Sequence, residues 1–242
     1  MTKSLFHSFP EVSAKEWKQK IQFDLKGEDY NEALIYKSLE GIDIKPFYTS
    51  EDLPKTYQES IATTPWKNAL YLVINNADEG NSDIKQGIKL GAESFYLVIS
   101  STDIHPTALL SSVSSDTPLY VETKFISQEY TEQLIAATKQ YGLQLSLATD
   151  IIGNLATTGN WFSNYKVDFA ELQNINANSS DINQGITVDL GIYQNAGATM
   201  VQQLAYGLAH ANEYLNFFNN TNVNTLQQTP CLLYTSPSPR DA

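Results

Sequence analysis

Short apolar runs alternate with amphipathic segments over most of the chain, beginning at Trp66. The apolar runs predict five strands, at residues 69–75, 94–100, 118–123, 143–149 and 186–190. Hydrophobic side chains at helical spacing predict helices at about 82–90, 129–141 and 197–218. Because the strands are apolar on both faces and are separated by helices, the pattern is typical of a parallel sheet covered by helices.

The helix predicted at 197–218 has the clearest period. Its apolar positions are Val201, Leu204, Ala205, Leu208 and Leu215. Such a repeat is the pattern of an amphipathic helix.

The segment before Trp66 carries helix signals and few strand signals. Ser13 followed by Glu16 fits a capping box at the start of a helix. Trp17 begins an apolar stripe along that helix, and Gly27 is predicted to end it.

Residues 41–48 are predicted to be extended, because Pro46 prevents a helix from continuing through it. We interpret residues 1–67 as an arm that contacts another subunit rather than as an independent domain. Residues 68–229 form the predicted α/β domain.

Two α/β architectures fit five strand–helix units, an open doubly wound sheet and a (β/α)8 barrel. The periodicity does not choose between them. A full barrel usually takes about 250 residues, and about 160 follow Trp66 here, so a barrel would have to be incomplete.

The balance of charges excludes one class of function. The chain has 242 residues and a formal net charge of −12 at pH 7, which argues against nucleic-acid binding because that requires clustered Lys and Arg. No apolar run approaches the roughly 20 residues of a membrane helix, and residues 1–9 lack the apolar stretch of a signal peptide. We expect a soluble, cytoplasmic protein that binds neither nucleic acid nor membranes.

The end of the chain differs in composition from the rest. Cys231 is its only cysteine and Arg240 its only arginine, and a single cysteine cannot form an internal disulfide. Residues 230–242 continue no hydrophobic period and resemble translated sequencing-adaptor sequence. We expect them to be a non-native tail that packs against nothing, after a biological chain that was cut short near Thr229.

The segment from Asp103 through His105 to Ala108 approximates the Asp-x-His-x-x-Gly loop that gives cobalt a histidine ligand in many cobalamin proteins. Ala108 stands in place of the glycine, and no Gly-Gly pair occurs downstream. The structural interpretation is a strand-end loop with Asp103 as the helix N-cap and Pro106 in the first turn.

Asp150 and Asp189 each follow a predicted strand, at the end where α/β proteins build their sites. A strand-end aspartate also commonly caps a helix, so both interpretations stay open. His210 shares a predicted helix face with Gln203, Tyr206 and Glu213, which predicts a solvated histidine, and His7 lies in the arm. No spacing of Cys, His and Glu indicates zinc, and no glycine-rich loop indicates a phosphate site.

The arm carries a specific resemblance to a known family. Between Trp17 and Tyr48 the chain reads W-K-Q-K-I … D-L-K-G … Y … L-I-Y-K … E-G-I … K-P-F-Y, which is similar to the start of methylmalonyl-CoA mutases. Further matches lie at residues 195–198, continuing to Tyr214, and at Asp150 with Ile151 and Gly159. The resemblance implies a (β/α)8 barrel that threads coenzyme A along its axis, joined in catalytic chains to a C-terminal cobalamin domain.

The chain differs from catalytic members of the family at the positions of their active-site residues. Aligned without gaps, the histidine of the family's G-Y-H falls on Ile192, and the glutamine of T-I-Q-N-D falls on Ala148. Lys67 follows Pro65-Trp66 where the family continues T-I-R-Q-Y-A-G, and the tyrosine segment R-G-P-Y-x-T-M-Y has no counterpart. A malonyl-type carboxylate is bound best by the guanidinium fork of arginine, which lysine cannot reproduce.

These departures resemble the small subunit of heterodimeric bacterial methylmalonyl-CoA mutases. The resemblance implies a chain without catalytic, cofactor-binding or metal-binding residues that supports a large catalytic subunit. The adenosylcobalamin of the holoenzyme and the acyl-CoA substrate would both be bound by that partner.

Two alternatives stay open. The first is a divergent but active acyl-CoA mutase that uses Asp150 or Asp189 and whose cobalamin domain is lost by truncation. The second is an unrelated α/β binding module, against which the arm's resemblance argues. A downstream Asp-x-His-x-x-Gly … Gly-Gly domain in the full-length gene would favour the enzyme.

Overall fold

The computed structural model describes residues 9–10, 12–53, 66–177, 181–183 and 185–220. The chain divides into two compact units, Met1–Thr63 and Thr64–Ala242. His7 and the tail predicted at 230–242 lie outside the described residues.

The first unit is built from short elements. They are helices α1 (Ala14–Asp24) and α2 (Tyr30–Leu34), strands β1 (Tyr36–Lys37) and β2 (Asp43–Ile44), and a 3₁₀ turn at Ser50–Asp52. The two strands pair antiparallel. The extended stretch predicted around Pro46 therefore begins as a short strand.

Helix α1 begins and ends as the sequence predicts. The Ser13 hydroxyl accepts a hydrogen bond from the Glu16 amide at 3.2 Å, and the Glu16 carboxylate accepts one from the Ser13 amide at 2.8 Å, which completes the capping box. After the helix, Lys26 and Gly27 have φ of 52° and 104°, in the left-handed region that favours glycine. Because α1 has no buried residue, and Tyr30 is the one buried hydrophobic residue described in this unit, the arm has little core of its own.

A four-stranded parallel sheet organises the second unit. Its strands are β3 (Ala69–Ile74), β4 (Ser94–Ile99), β5 (Pro118–Thr123) and β6 (Gln144–Leu147), and they lie side by side in chain order. Helices α3 (Ala77–Lys89), α4 (Pro106–Leu110) and α5 (Gln128–Tyr141) connect them. Four of the five predicted strands are thus confirmed, because continuous apolar runs of this length suit a sheet that is covered by helices.

The main core lies on one face of this sheet. Alternate residues of β4, such as Phe95 and Leu97, pack against Ile84 of α3, Leu109 of α4 and Leu134 of α5. The three connecting helices therefore cover the same face. Because the four described strands follow chain order, they lack the order reversal that characterises a doubly wound sheet.

The prediction of a fifth strand at 186–190 is wrong, because these residues form no strand. This segment is buried and runs beside β6, where Asn183 donates to the Leu145 carbonyl at 2.7 Å and Thr187 donates to the Thr149 carbonyl at 3.1 Å. Isolated hydrogen bonds of this kind do not make a ladder. The apolar run reflects burial against helices rather than membership of the sheet.

A second core joins the later elements of this unit. Helices α6 (Ile151–Thr158), α7 (Tyr165–Ala177), α8 (Gly191–Asn195) and α9 (Met200–Asn220) surround it. Its fully or nearly fully buried members are Ile151, Phe169, Leu172, Ile186, Val188, Leu190, Tyr214 and Phe218.

The face of α9 that packs against this core is not the face that its regular apolar repeat predicts. Val201, Leu204 and Leu208 are 66%, 50% and 63% exposed, whereas Gly207 and Tyr214 are buried. A Cβ atom at position 207 would lie 2.7 Å from Leu190, so glycine allows the helix to approach this closely. The buried face is thus selected by the fit against Leu190 rather than by the most regular apolar stripe.

The mixed α/β class and the parallel sheet agree with the sequence prediction. The four strands form an open sheet, so the predicted partial barrel stays a prediction. Among the described helices, none combines the length and the hydropathy that a membrane span requires.

Replacing Leu97 by alanine should destabilise the second unit. Leu97 is 0% exposed at the centre of β4, and removing a buried leucine side chain costs about 2–5 kcal/mol of unfolding free energy. Urea unfolding followed by circular dichroism measures the loss. Leu90→Ala is the matched control, because Leu90 is 80% exposed at the end of α3 and should change stability by less than about 0.5 kcal/mol. Equal losses in the two variants would contradict the assignment of the core.

Candidate functional site

An open cavity of about 480 Å³ lies beside the carboxyl ends of β5 and β6. Its walls come from the ends of these strands, from α6, from the segment before α8 and from the sheet face opposite α3–α5. Its charged groups are the carboxylates of Glu122, Asp150 and Asp189 and the amine of Lys124. The two strand-end aspartates that the sequence singles out therefore meet in one place.

Asp150 is the hub of a hydrogen-bond network beside this cavity. Its Oδ1 accepts hydrogen bonds from the Gly153 amide at 2.7 Å, His210 Nε2 at 2.9 Å and the Tyr214 hydroxyl at 2.8 Å. Its Oδ2 accepts one from the Asp189 amide at 3.2 Å. Asp150 is the N-cap of α6, which confirms the capping interpretation, and it also lines the cavity.

His210 is buried, and the prediction of a solvated histidine is wrong. Its side chain is 1% exposed, with Nε2 facing Asp150 and Nδ1 lying 3.0 Å from the Tyr193 hydroxyl. Because a carboxylate oxygen only accepts, Nε2 donates its hydrogen to Asp150 Oδ1, and Nδ1 pairs with the Tyr193 hydroxyl. His210 is withdrawn from water by its contact with Asp150, 60 residues away in sequence, whereas Tyr206 and Glu213 of the same predicted face are exposed.

Two tyrosines complete the network as hydrogen-bond donors. The Tyr214 hydroxyl accepts from the Ile152 amide at 3.0 Å while it donates to Asp150. Burial, together with the nearby charge of Asp150, raises the pKa of Tyr214 well above its ordinary value. Burial and the Asp150 charge also raise the pKa of Tyr193. Both hydroxyls therefore stay protonated at neutral pH.

Asp189 is less well neutralised than Asp150. Its Oδ1 accepts a hydrogen bond from the Gly191 amide at 2.7 Å. Burial raises the pKa of Asp189, and the charges of Asp150 and Glu122 raise it further, whereas the bond from Gly191 and the charge of Lys124 act in the opposite direction. With Asp150 already accepting four hydrogen bonds, Asp189 is the carboxylate of this pair with capacity for another partner.

The end of β5 adds charged groups that the sequence interpretation missed. The Lys124 amine pairs with Glu122 Oε1, and the Tyr96 hydroxyl donates to Glu122 Oε2 at 3.0 Å. Tyr96 stacks between Tyr71 and Tyr120, its register partners on β3 and β5, with ring centroids 5.4 and 6.5 Å apart. The sequence holds a signal for this stack, because A-L-Y, S-F-Y and P-L-Y open three successive strands with tyrosine in the same position.

The Asp103–His105 segment lies outside the cavity, on the loop after β4. His105 is exposed and is the N-cap of α4, with Pro106 at the first helical position, as predicted for the proline. The expected capping role of Asp103 is wrong, because Asp103 accepts a hydrogen bond from the Ser101 hydroxyl at 3.0 Å two residues before the cap. Within the described part of the chain, no three His, Cys, Asp or Glu side chains are grouped as a metal site would require.

Ile192 and Ala148 both line the cavity. By the resemblance described above, these are the positions expected to correspond to the histidine and the glutamine of catalytic mutases. Neither side chain offers a hydrogen-bond donor or a charge. Lys67 is exposed before β3 and is not one of the residues around the cavity.

Replacing Tyr214 by phenylalanine should weaken the Asp150 hub. The substitution leaves the Ile152 amide without its acceptor and removes one donor from Asp150, and leaving a buried polar group unsatisfied costs about 1–3 kcal/mol. Chemical unfolding measures the change. Tyr206→Phe, on the same helix at a side chain that is 49% exposed, should leave the unfolding free energy within about 0.5 kcal/mol. An unchanged stability of the Tyr214 variant would show that the hub does not stabilise the fold.

Replacing Asp189 by asparagine should stabilise the protein at neutral pH. Because the pKa of Asp189 is higher in the folded than in the unfolded chain, the folded state binds more protons between the two values, and stability falls as the pH rises through that window. Asparagine keeps an acceptor for the Gly191 amide and carries no charge. The increase in melting temperature should be present at pH 7 and should vanish as the pH falls to the ordinary aspartate value of 3.8.

The exposed Asp83 of α3 provides the control for this charge change. Asp83→Asn should produce no comparable pH-dependent increase in melting temperature. If both variants gave the same profile, the effect would come from the overall charge of −12 rather than from the cavity.

Comparison with known proteins finds distant relatives of this chain. No protein-family model matches the chain. The methylmalonyl-CoA mutase small subunit of Porphyromonas gingivalis is 43% identical over 49 residues, which cover 20% of this chain and 8% of that protein. The methylmalonyl-CoA mutase small subunit of Propionibacterium freudenreichii subsp. shermanii is 24% identical over 258 aligned residues, which cover 88% of this chain and 38% of that protein. The chain thus spans well under half the length of each of these two relatives, and it is distantly similar to methylmalonyl-CoA mutase small subunits.

Proposed function

We propose that this chain acts as a non-catalytic small subunit of an adenosylcobalamin-dependent methylmalonyl-CoA mutase in the cytoplasm. In this proposal it forms a heterodimer with a large catalytic subunit, which interconverts methylmalonyl-CoA and succinyl-CoA. The observation that carries the proposal is the chemistry of two cavity positions. Where catalytic chains have histidine and glutamine, the cavity presents Ile192 and Ala148.

The charges around the cavity also support a non-catalytic role. Three carboxylates, those of Glu122, Asp150 and Asp189, face one cation, Lys124, which is paired with Glu122. A malonyl-type thioester is an anion, so the negative electrostatic potential of these carboxylates disfavours its binding. Arg240, the one arginine of the chain, is far from these residues in sequence and lies outside the described part.

The sheet topology supports a barrel as the complete fold. Parallel strands in chain order, with the connecting helices on one face, are the repeating unit of a (β/α)8 barrel. In the proposal, the described sheet is one part of such a barrel. The opposite face, with Tyr71 and Tyr96, would then face the interior.

The described residues do not fit a cobalamin site. His105 is the candidate cobalt ligand, yet it caps the five-residue helix α4, and Asp103 is bonded to Ser101. Ala108 occupies the position of the motif's glycine. We therefore place adenosylcobalamin on the large subunit and route no chemical step through this chain.

The arm is the proposed contact with the large subunit. Trp17 and Tyr48 are 50% and 57% exposed, and the Trp17 ring lies edge-on to Phe47 with centroids 6.4 Å apart. Large aromatic side chains with exposed faces are the residues that most often anchor protein interfaces. An arm with little core of its own can obtain from a partner the apolar burial that it lacks.

Co-expression with a bacterial mutase large subunit tests the proposal. We expect the two chains to co-purify, this chain alone to bind no adenosylcobalamin in a spectroscopic titration, and this chain alone to convert no methylmalonyl-CoA. Cobalamin binding or turnover by the isolated chain would favour the divergent-enzyme alternative. Failure to co-purify with the large subunit would remove the partner claim.

Trp17→Ala should weaken the complex at least about tenfold, since truncating an anchoring aromatic residue commonly costs about 2 kcal/mol or more of binding free energy. Surface plasmon resonance with an immobilised large subunit measures the affinity. Trp66→Ala is the matched control, because Trp66 is 88% exposed but belongs to the second compact unit, outside the Trp17–Tyr48 stretch that is proposed to anchor the partner. Equal affinities for the Trp17 variant and the unchanged chain would show that the arm is not the anchor.

A further inference from the structure

Three threonine hydroxyls around the cavity are available only as hydrogen-bond acceptors. The hydroxyls of Thr123, Thr157 and Thr187 donate to the carbonyls of Phe125, Gly153 and Leu147, at 2.6, 2.8 and 3.3 Å. Since each hydroxyl has one hydrogen, these oxygens retain only the capacity to accept. A ligand that contacts these three oxygens must therefore donate hydrogen bonds to them.

One carboxylate oxygen of the cavity, Asp189 Oδ2, differs from those of Glu122 and Asp150 in its hydrogen bonding. Glu122 is occupied by Lys124 and the Tyr96 hydroxyl, and Asp150 accepts four hydrogen bonds. Asp189 uses Oδ1 for the Gly191 amide, while Oδ2 has no hydrogen-bond partner among the described residues. The negative charge that no described cation or donor balances therefore lies mainly on Asp189.

An aromatic surface forms another part of the same wall. Tyr71 stacks on Tyr96 at 5.4 Å and is itself 60% exposed, so one of its ring faces is accessible. Phe162 lines the cavity as well. Aromatic faces attract organic cations and pack against their apolar portions.

We propose that this cavity binds a small organic cation, an alkylammonium or alkylguanidinium whose charged end donates hydrogen bonds to Asp189 and whose apolar body lies against Tyr71. A neutral ligand would leave the carboxylate uncompensated, and an anion would be repelled by it. The cavity of about 480 Å³ has the size of an ordinary small-molecule site. The inference depends on the residues of the cavity and not on the proposed mutase function.

Three probes of matched shape test the charge preference: 4-phenylbutylammonium, 4-phenylbutanol and 4-phenylbutyrate. Isothermal titration calorimetry of the 242-residue chain at low salt should show the ammonium binding at least about tenfold more tightly than the alcohol, and the butyrate not binding. Added salt should weaken the ammonium complex. Equal affinity for ammonium and butyrate, or no ammonium binding up to millimolar concentration, would overturn the proposal.

Variants locate the site. Asp189→Asn should reduce the ammonium affinity at least about tenfold, and Tyr71→Leu several-fold, whereas Asp83→Asn on α3 should leave it unchanged. Because Asp189→Asn should also raise the melting temperature, a loss of affinity in that variant cannot be attributed to unfolding. Unchanged affinity in the Asp189 and Tyr71 variants would contradict the assignment. This outcome is independent of whether the chain co-purifies with a large subunit.

Discussion

The carboxylate of Asp150 joins parts of the second unit that are distant in sequence. It caps α6 by accepting a hydrogen bond from the Gly153 amide, and it accepts hydrogen bonds from two side chains of α9. It also accepts a hydrogen bond from the amide of Asp189, in the segment before α8. A buried donor that loses its acceptor costs more than the net contribution of an ordinary hydrogen bond, so these four bonds constrain one another. A Cβ atom at position 153 would lie 2.3 Å from Asp150 Oδ2, so the tight turn into α6 requires glycine.

This hub determines which face of α9 is buried. Once His210 and Tyr214 bond Asp150, they and Gly207 must face the core, because all three lie on one side of the helix. The regular apolar stripe through Leu204 and Leu208 then faces outward. A solvent-facing apolar stripe of this kind is a surface that further protein ordinarily covers.

The hub also decides what chemistry remains in the cavity. Asp150 is held by four donors and has little capacity to act as a general base. The Tyr193 and Tyr214 hydroxyls are held protonated, because burial and the Asp150 charge raise their pKa. Asp189 is left as the carboxylate without full compensation, beside the apolar Ile192 and Ala148. The cavity is thus organised by structural hydrogen bonds, and its remaining negative charge lies mainly on Asp189.

Local pattern was sufficient for the elements whose formation depends on near neighbours. The apolar runs predicted strands β3 to β6, Ser13 and Glu16 predicted the start of α1, and Pro106 predicted the first turn of α4, because each signal acts within a few residues. Asp150 follows β6 as predicted, whereas Asp189 follows an apolar segment that forms no strand, and both side chains line the cavity. The complete barrel and the role of the arm are not decided at this level.

Tertiary contacts decided the rest. The polar neighbours of His210 on its helix face predict a solvated side chain, and only its bond to Asp150, 60 residues earlier, shows that His210 itself is buried. The run at 186–190 has the composition of a strand, but it packs against helices with isolated hydrogen bonds to its neighbour. The hydrogen bond from Tyr96 to Glu122 depends on the register of β4 and β5. In each case, the sequence shows whether a segment is apolar or polar. The partner that the segment contacts depends on long-range packing, which local sequence patterns do not reveal.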